Sequence, residues 1–349
     1  MNIAIITGAS SGIGEEILRG LARERGAFGS LPFGQIWAVA RSEQRLESLR
    51  KEIGPEMIRV FALDLTVPGA VDTLSAALEE EMPTVGLLVN CAGVGRVGPV
   101  SGQTQEDQKT MVSLNCSVPA ELTSVCIPYM IQAAKESGFR NGPRILNIAS
   151  SAAFLPQPGF ATYAASKAFL VSFSRAVNEE LRPYNITSTT VCPGPVSTDF
   201  LVHATGKETA SFSGIKSLFV ARPDKVAASS IRAARKGRAL LVYGFSQKAF
   251  HVASKLLPAR FLMFLSSRLT GSEMPAPSPV RAPVSDPALQ DSVRVETTVL
   301  LPIVKDERGD VDVPFHPYGK RMDKSSDPTI STSAEALAIL RAYPGKTTV

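Results

Sequence analysis

Residues 7–14 read Thr7-Gly8-Ala9-Ser10-Ser11-Gly12-Ile13-Gly14, and they stand between the apolar run Ile3–Thr7 and the amphipathic stretch EEILRGLARER. The apolar run predicts a buried strand, and the amphipathic stretch predicts a helix that begins at the glycines. Such a turn presents free backbone N–H groups and the positive end of a helix dipole. We therefore expect it to bind a dinucleotide pyrophosphate: Gly8 permits the turn, Gly12 the close approach of phosphate, and Gly14 the packing of helix on sheet.

Short apolar runs alternate with amphipathic stretches along most of the chain. Each run is almost continuously apolar, as strands covered on both faces are. The predicted strands are Ile3–Thr7, Ile36–Ala40, Met57–Ala62, Gly86–Asn90, Arg144–Ala149, Thr187–Cys192 and Ala239–Tyr243. Because strands that alternate with helices form βαβ units, we predict an α/β protein with a doubly wound (Rossmann) parallel sheet of about seven strands.

The length of the chain fits either one large domain with an appendage or two equal halves, and the change of composition along the chain favours the first. Of the 349 residues, 44% are hydrophobic and 20% are charged, which excludes disorder throughout. Gly26–Gln35 is rich in Gly and Pro and predicts a surface loop. From Gly271 the sequence GSEMPAPSPVRAPVSDPALQDS concentrates Pro, Ser and Ala and has neither a strand nor a helix period. We predict a single domain over residues 1–270 and a largely irregular, partly disordered tail over residues 271–349.

The charge balance favours a small anionic ligand over nucleic acid. The chain has 37 Lys and Arg against 32 Asp and Glu, a net charge of +5. It lacks the clustered basic stripe that nucleic-acid binding usually needs. The tail from Glu273 contains more acidic than basic residues, so the basic excess belongs to the predicted domain. An anionic dinucleotide fits that location.

Several features of the sequence indicate the cellular compartment and whether a metal site is present. The four cysteines form no CxxC pair, and the three histidines lie apart from one another and from acidic clusters. This spacing predicts reduced, mostly buried thiols and no metal site. The first residues lead directly into a strand and do not form a signal-peptide pattern, and no uncharged apolar run reaches the about 18 residues of a membrane-spanning helix. We therefore expect a cytoplasmic protein.

Arg41 follows the second predicted strand, at the position where an acidic residue would bind the ribose 2′-hydroxyl of NAD. An arginine can instead pair with the 2′-phosphate of NADP, with Ser10, Ser11 and Arg45 as helpers. The alternative is a solvated arginine at a helix start. Asp64, after the third predicted strand, is interpreted either as a cap of the next turn or as a contact to adenine. NADP(H) is the expected cofactor, and NAD the less favoured one.

A serine, a tyrosine and a lysine form a second pattern. Ser150 follows the fifth predicted strand, and Tyr163 and Lys167 stand four residues apart in a predicted helix, Ala161–Glu180. Residues at i and i+4 share a helix face, so the phenol and the ammonium should point into the same space. A positive charge near tyrosine favours the phenolate and should lower its pKa toward a value useful in acid–base chemistry.

In this order, TGASSGIG, Asn90-Cys91-Ala92-Gly93, Asn115, Ser150, Tyr163, Lys167 and Pro193-Gly194 resemble the short-chain dehydrogenase/reductase family over residues 1–270, in particular its NADP-preferring ketoacyl and hydroxysteroid reductases. The resemblance implies that Tyr163 transfers the proton, Ser150 binds the oxyanion, Lys167 lowers the tyrosine pKa and holds the nicotinamide ribose, and Asn115 binds a water linked to Lys167. It implies cofactor contacts from Gly8, Ser10, Ser11, Gly12, Ile13, Gly14, Arg41, Asp64, Leu65, Asn90, Ala92, Gly93, Tyr163, Lys167, Pro193, Gly194, Val196 and Thr198, with Thr198 near the carboxamide. It also implies a dimer or tetramer paired through the helix that contains Lys167.

Two segments bear on the substrate. By the same resemblance, Ser197–Val220 forms a mobile lid with an apolar pocket wall, and Gly95–Val100 lines the opposite side. The basic, amphipathic segment Ser246–Leu269 has two interpretations. It either shields the pocket and core, or lies on a membrane surface with Lys248, Lys255, Arg260 and Arg268 facing head groups.

The expected function is an NADPH-dependent carbonyl reductase that converts an apolar ketone to a secondary alcohol. One alternative is an NAD-linked alcohol dehydrogenase, which Arg41 disfavours. Another is a dinucleotide-sensing interaction protein that binds a partner through the tail, which the intact Ser150, Tyr163 and Lys167 disfavour.

Overall fold

The computed structural model describes residues 1–24, 33–137, 142–198, 200, 204 and 220–270, and of residues 265–270 it describes the backbone only. Most of the predicted Gly26–Gln35 loop, most of the predicted Ser197–Val220 lid and the whole tail 271–349 therefore lie outside the described residues. The boundary between domain and tail stays a prediction.

A seven-stranded parallel sheet forms the centre of the described chain, in the order β3-β2-β1-β4-β5-β6-β7. The strands are β1 (Asn2–Thr7), β2 (Gln35–Ala40), β3 (Ile58–Ala62), β4 (Thr84–Asn90), β5 (Arg144–Ile148), β6 (Thr187–Pro193) and β7 (Leu240–Tyr243). The predicted sheet is confirmed. The predicted bounds differ from the observed ones by two residues or fewer at each end.

Helices cover both faces of this sheet. They are α1 (Gly12–Glu24), α2 (Glu43–Ile53), α3 (Ala70–Glu81), α4 (Gln105–Val112), α5 (Val118–Glu136), α6 (Ala161–Glu180), α7 (Pro223–Arg235), α8 (Phe245–Leu256) and α9 (Ala259–Thr270). One turn of π-helix, Ser113–Ser117, joins α4 to α5, and a short 3-10 helix, Ser151–Phe154, follows β5. The predicted helix Ala161–Glu180 is confirmed.

The core lies on both sides of the sheet, which explains the almost continuously apolar strands. On one face, Ala4 and Ile6 of β1 pack with residues of α1 and α7. On the other, Ile3 and Ile5 pack with Trp37 and with residues of α3 and α5. Trp37 is fully buried.

Strand order places a crevice at the carboxyl end of β1. This strand pairs with β2 on one side and with β4 on the other. The order of the strands therefore runs in one direction from β1 to β3 and in the opposite direction from β4 to β7. In open α/β sheets, ligands bind at such a switch point. The turn 8–11 and the segment after β4 therefore meet at the same edge.

Side-chain amides and hydroxyls join the central strands from inside the sheet. Asn90 Nδ2 donates to Asn147 Oδ1 at 2.8 Å, and Asn147 Nδ2 donates to Ser188 Oγ at 3.3 Å. Ser188 and Ser174 then share a hydrogen bond of 2.7 Å. Because buried polar groups are costly when unpaired, this chain of contacts fixes the relative position of β4, β5, β6 and α6.

The described cysteines are free: Cys126 and Cys192 are buried, whereas Cys91 and Cys116 are only partly buried. All four thiols are at least partly buried, in line with the prediction of mostly buried thiols. In the part of the chain that the structure describes, no helix is long and apolar enough to cross a membrane.

Candidate active site and cofactor-binding edge

The turn between β1 and α1 needs glycine at three places. Gly8 and Gly12 have positive φ angles of 67° and 57°. A Cβ on Gly8 would lie 2.9 Å from the backbone N of Ala92, one on Gly12 would lie 2.9 Å from Cγ2 of Thr198, and one on Gly14 would collide with the carbonyl oxygen of Gly8. The backbone here is therefore both bent and closely packed, and the first N–H groups of α1 face the crevice.

Thr7 connects this turn to the end of β4. Its hydroxyl donates to the carbonyl oxygen of Val89 at 3.2 Å and accepts hydrogen bonds from the backbone N of Cys91 at 3.0 Å and of Ala92 at 3.1 Å. The contact holds residues 91–93 beside Gly8. This role of Thr7 is not among the sequence predictions, although its place in the glycine motif could have signalled it.

Two predicted cofactor residues at the same edge have side chains that lie within the protein interior. Asn90 lies within the sheet, where its Nδ2 binds Asn147 and its Oδ1 has no hydrogen-bond partner. Leu65 is buried in the core beside α3. Only the backbone of Leu65 can therefore face a cofactor.

Arg41 lies exposed after β2, and no described side chain holds its guanidinium in an ion pair. Arg45, predicted as its helper, instead pairs with Glu15 at 3.0 Å. Asp64 accepts hydrogen bonds from the backbone N and the hydroxyl of Thr66, so it caps the turn. Burial raises its pKa, but the hydrogen bonds from Thr66 and the charge of Arg41 together lower that pKa below its usual value. Arg41 is thus near enough to Asp64 for its charge to stabilise the Asp64 carboxylate.

Tyr163 and Ser150 form the centre of the predicted catalytic group. The hydroxyl of Ser150 accepts a hydrogen bond of 3.1 Å from the backbone N of Ala152 and is also hydrogen-bonded to Tyr163. Since the Ala152 N–H uses a lone pair of Ser150, the serine keeps its own proton for donation. The structure thus brings the two hydroxyl groups together at the end of β5.

Lys167 is 4% exposed, and its Nζ donates to the carbonyl oxygen of Ile148 at 3.1 Å. Asn115 is also buried: its Oδ1 accepts from the backbone N of Val94, and its Nδ2 donates to the carbonyl oxygen of Val94 and to Ser166 Oγ. A Cβ on Gly93 would lie 3.1 Å from both Lys167 Nζ and Asn115 Oδ1. Lys167 and Asn115 therefore meet at Gly93, and the predicted water between them stays a prediction.

The expected lowering of the tyrosine pKa is wrong for this arrangement of side chains. Burial raises the pKa of Tyr163 to about 12, and the hydrogen bond from Ser150 only partly offsets it. Burial also lowers the pKa of Lys167 to about 8. Lys167 Nζ lies 5.7 Å from the centroid of the Tyr163 ring. Desolvation thus dominates both groups, and Tyr163 is a neutral phenol at neutral pH.

The segment after β6 returns toward the glycine turn. A Cβ on Gly194 would lie 2.6 Å from Nε2 of Gln247 in α8, so this side chain covers Pro193-Gly194. Val196 is buried and forms a bridge to Ala221. Thr198, which the family resemblance implies near the carboxamide, has its methyl group against Gly12. Thr198 therefore lies beside the glycine turn.

Aromatic rings cover Tyr163. Phe160 stacks on the Tyr163 ring at 4.2 Å between centroids, and Phe200 approaches the Tyr163 ring at 5.4 Å. A Cβ on Gly95 would lie 2.8 Å from Phe200 Cζ, 3.0 Å from Tyr163 Cδ2 and 3.2 Å from Phe160 Cζ. Phe160 is not among the predicted site residues, although its position three residues before Tyr163 could have signalled it. Gly95 and Phe200 lie in the two segments predicted as pocket walls.

The chain resembles known oxidoreductases in sequence and in structure. The family model "short chain dehydrogenase" matches residues 2–209. The chain is similar to 2,3-dihydro-2,3-dihydroxybenzoate dehydrogenase of Bacillus subtilis (strain 168), with 33% identity over 199 residues that cover 56% of this chain and 70% of that protein.

Two solved structures with bound cofactors resemble it as well. One is a short-chain dehydrogenase from Sphingobium yanoikuyae in complex with NADPH, with 25% identity, a TM-score of 0.60, and coverage of 77% of this chain and 94% of that one. The other is a 3-ketoacyl-(acyl-carrier-protein) reductase from Brucella melitensis complexed with NADH, with 26% identity, a TM-score of 0.57, and coverage of 69% and 96%. Because the family model spans more than half of the chain and the fold agrees with it, this chain is an oxidoreductase enzyme of the short-chain dehydrogenase/reductase family.

Proposed function

We propose that the enzyme reduces apolar ketones to secondary alcohols with NADPH. The observation that carries this proposal is the pair of hydroxyl groups of Tyr163 and Ser150 beside the rings of Phe160 and Phe200. Two proton donors in an aromatic enclosure suit a substrate that has one polar carbonyl and an otherwise apolar surface.

The residues of the crevice fit NADPH. The closely packed glycines leave room for a pyrophosphate at the start of α1, where a Cβ would intrude. We propose that Arg41 holds the 2′-phosphate and that Lys167 holds the nicotinamide ribose. Once bound, NADPH supplies the hydride that reduces the carbonyl carbon.

The chain's own groups then handle the carbonyl oxygen. Ser150 donates a hydrogen bond to the oxygen as negative charge develops on it, and Tyr163 O–H transfers its proton to the same oxygen. Tyr163 holds its proton at neutral pH and can therefore donate it to the carbonyl oxygen. Alcohol oxidation would need the phenolate, which burial disfavours.

The test is a screen of ketones of graded length as substrates. Their reduction is measured as the decrease in NADPH absorbance. Tyr163→Phe should lower kcat at least about 100-fold, since general acid catalysis contributes about 100- to 10,000-fold. Tyr184→Phe is the matched control, because Tyr184 lies on the surface after the end of α6, and it should leave kcat unchanged. NADPH affinity should persist in both variants. No turnover of any ketone, or an equal effect of the two substitutions, would contradict the proposal.

We also propose that the enzyme forms a homo-oligomer. Phe169 on α6 is exposed and stacks on Phe173 of the same helix at 5.8 Å. Phe173 is half-buried against the core, so it holds the exposed Phe169 ring on the surface of α6, where the ring is suited to contact with another copy. Light scattering should give a mass above that of the monomer, and Phe169→Glu should reduce it; a monomeric wild type would contradict the proposal.

A further inference from the structure

The outward face of α8 is apolar and basic. Phe245, Lys248, Val252, Lys255 and Leu256 follow helical spacing and are all exposed, with Phe245 at 89% and Leu256 at 76%. Surface helices normally turn such apolar side chains toward the core. Here the inward residues are Gln247, Phe250 and His251, and the large apolar groups Phe245 and Leu256 face solvent.

The exposed surface continues from α8 into α9. Leu257 follows α8 directly, and α9 begins with Ala259, Arg260 and Phe261, all exposed. Pro258 caps this second helix, because its carbonyl oxygen accepts from the backbone N of Phe261 at 3.0 Å and of Leu262 at 3.2 Å. The apolar residues of both helices therefore border the same connection. We call residues 245–261 the α8–α9 surface.

Charge distinguishes this surface from the rest of the chain. No Asp or Glu occurs between Asp224 and Glu273, and the α8–α9 surface itself holds three basic residues, Lys248, Lys255 and Arg260. Other exposed apolar side chains, such as Val67 and Met82, lie near acidic residues of their own segments. The α8–α9 surface thus combines exposed phenylalanine and leucine side chains with basic residues and has no acidic residue of its own.

We propose that the α8–α9 surface docks on the face of an anionic lipid bilayer. Phe245, Leu256 and Phe261 enter the boundary between head groups and acyl chains, and Lys248 and Lys255 pair with lipid phosphates. Basic and aromatic side chains on an amphipathic helix are typical of helices that lie in the interface. Charge complementarity selects this occupant: an apolar protein partner would gain nothing from the lysines.

The docking helix contacts the active site from its inner side. Gln247 covers Gly194 after β6, and the His251 ring lies 4.1 Å from that of Phe154, at the end of the 3-10 helix that begins after Ser150. A bilayer at the outer face of α8 would therefore stand one helix away from the catalytic hydroxyl groups. Such a place suits an enzyme whose apolar substrate dissolves in lipid. The docking itself does not rest on the proposed function, since it is measured without turnover.

The test is sedimentation of the full chain with vesicles. The protein should sediment with vesicles of phosphatidylcholine that contain about a third phosphatidylserine. The fraction of protein that sediments with vesicles of pure phosphatidylcholine should be at least about fivefold lower. Lys248→Glu with Lys255→Glu should lower the partition coefficient at least about tenfold, and raised salt should lower it as well. Phe245→Ser with Leu256→Ser should lower it about tenfold through the loss of buried apolar area.

Matched controls separate docking from general charge and folding effects. Lys51→Glu on exposed α2 and Val67→Ser before α3 should bind vesicles as the wild type does. Circular dichroism and NADPH binding check that each variant is folded. Equal binding to neutral and anionic vesicles, no binding of the wild type, or an effect of the controls equal to that of the α8 variants would overturn the proposal. So would loss of a dimer in the Phe245→Ser, Leu256→Ser variant without loss of vesicle binding.

Discussion

The ammonium group of Lys167 donates a hydrogen bond to the carbonyl oxygen of Ile148, the last residue of β5. This contact directs the lysine of α6 to the end of the strand that leads into Ser150. The same burial that makes the contact strong removes the ammonium from water, and the pKa of Lys167 falls to about 8. The enzyme therefore holds a cation at a place where the fold alone disfavours one.

The first prediction concerns the pH dependence of stability. The ordinary pKa of lysine is 10.5, so between about pH 8 and 10.5 the unfolded chain holds the Lys167 proton more firmly than the folded chain does. The contribution of Lys167 to the free energy of unfolding therefore rises with pH in this window, and the full cost of burying the ammonium is felt below pH 8. Lys167→Met should raise the free energy of unfolding by about 2 kcal/mol at pH 7, and this gain should shrink toward pH 10.

Urea unfolding followed by the fluorescence of the single tryptophan, Trp37, measures this difference. Other titrating groups are common to both chains and cancel. Lys135→Met, on the exposed face of α5, should show no such pH-dependent gain. If the Lys167→Met variant kept a constant advantage over the wild type from pH 7 to 10, burial would not control the Lys167 proton.

The second prediction concerns cofactor choice. Arg41→Asp removes a cation that we assign to the 2′-phosphate and supplies a carboxylate that can bind a ribose hydroxyl. The ratio of kcat/KM for NADPH to that for NADH should fall at least about 100-fold, because a charged hydrogen bond contributes about 1.5–3 kcal/mol and a repulsion replaces it. Lys51→Asp, an equal charge change on α2, should leave the ratio within about twofold. If the ratio of kcat/KM for NADPH to that for NADH were unchanged in Arg41→Asp, Arg41 would not bind the 2′-phosphate.

The third prediction concerns the pyrophosphate turn. Gly12→Ala and Gly69→Ala both place a Cβ at a positive φ, of 57° and 84°, so both should lose about 1 kcal/mol of stability. Only the first places that Cβ in the crevice, against Thr198. Gly12→Ala should therefore raise the Kd for NADPH at least about tenfold, measured by fluorescence titration, while Gly69→Ala leaves it unchanged. Equal affinities in the two variants would place the cofactor elsewhere.

The fourth prediction concerns the aromatic enclosure. A methyl group on Gly95 would press on the rings of Phe160, Tyr163 and Phe200 at once. Gly95→Ala should lower kcat/KM about tenfold for the longest ketone that the wild type accepts, and less than about twofold for the shortest, because the added carbon narrows the enclosure. The Kd for NADPH should not change. A uniform loss for all ketones would show that Gly95 serves the fold and does not shape the substrate site.

The sequence alone determined the sheet, the glycine turn and the helix that contains Tyr163 and Lys167. Strands buried on both faces must be apolar throughout, so Ile3–Thr7 and its counterparts were recognisable from composition. The four-residue spacing of Tyr163 and Lys167 fixes them on one face of a helix, whatever the rest of the chain does. These features depend on neighbours along the chain.

The tertiary structure alone decided the contacts between residues far apart in sequence. Thr7 holds Ala92, Asn90 pairs with Asn147, and Gln247 covers Gly194. It also decided the direction of the Tyr163 pKa. The sequence showed a lysine nearby, which favours the phenolate, but it could not show that the ring is enclosed by Phe160 and Phe200. Desolvation depends on the packing of the whole enclosure, and in this fold it outweighs the nearby charge.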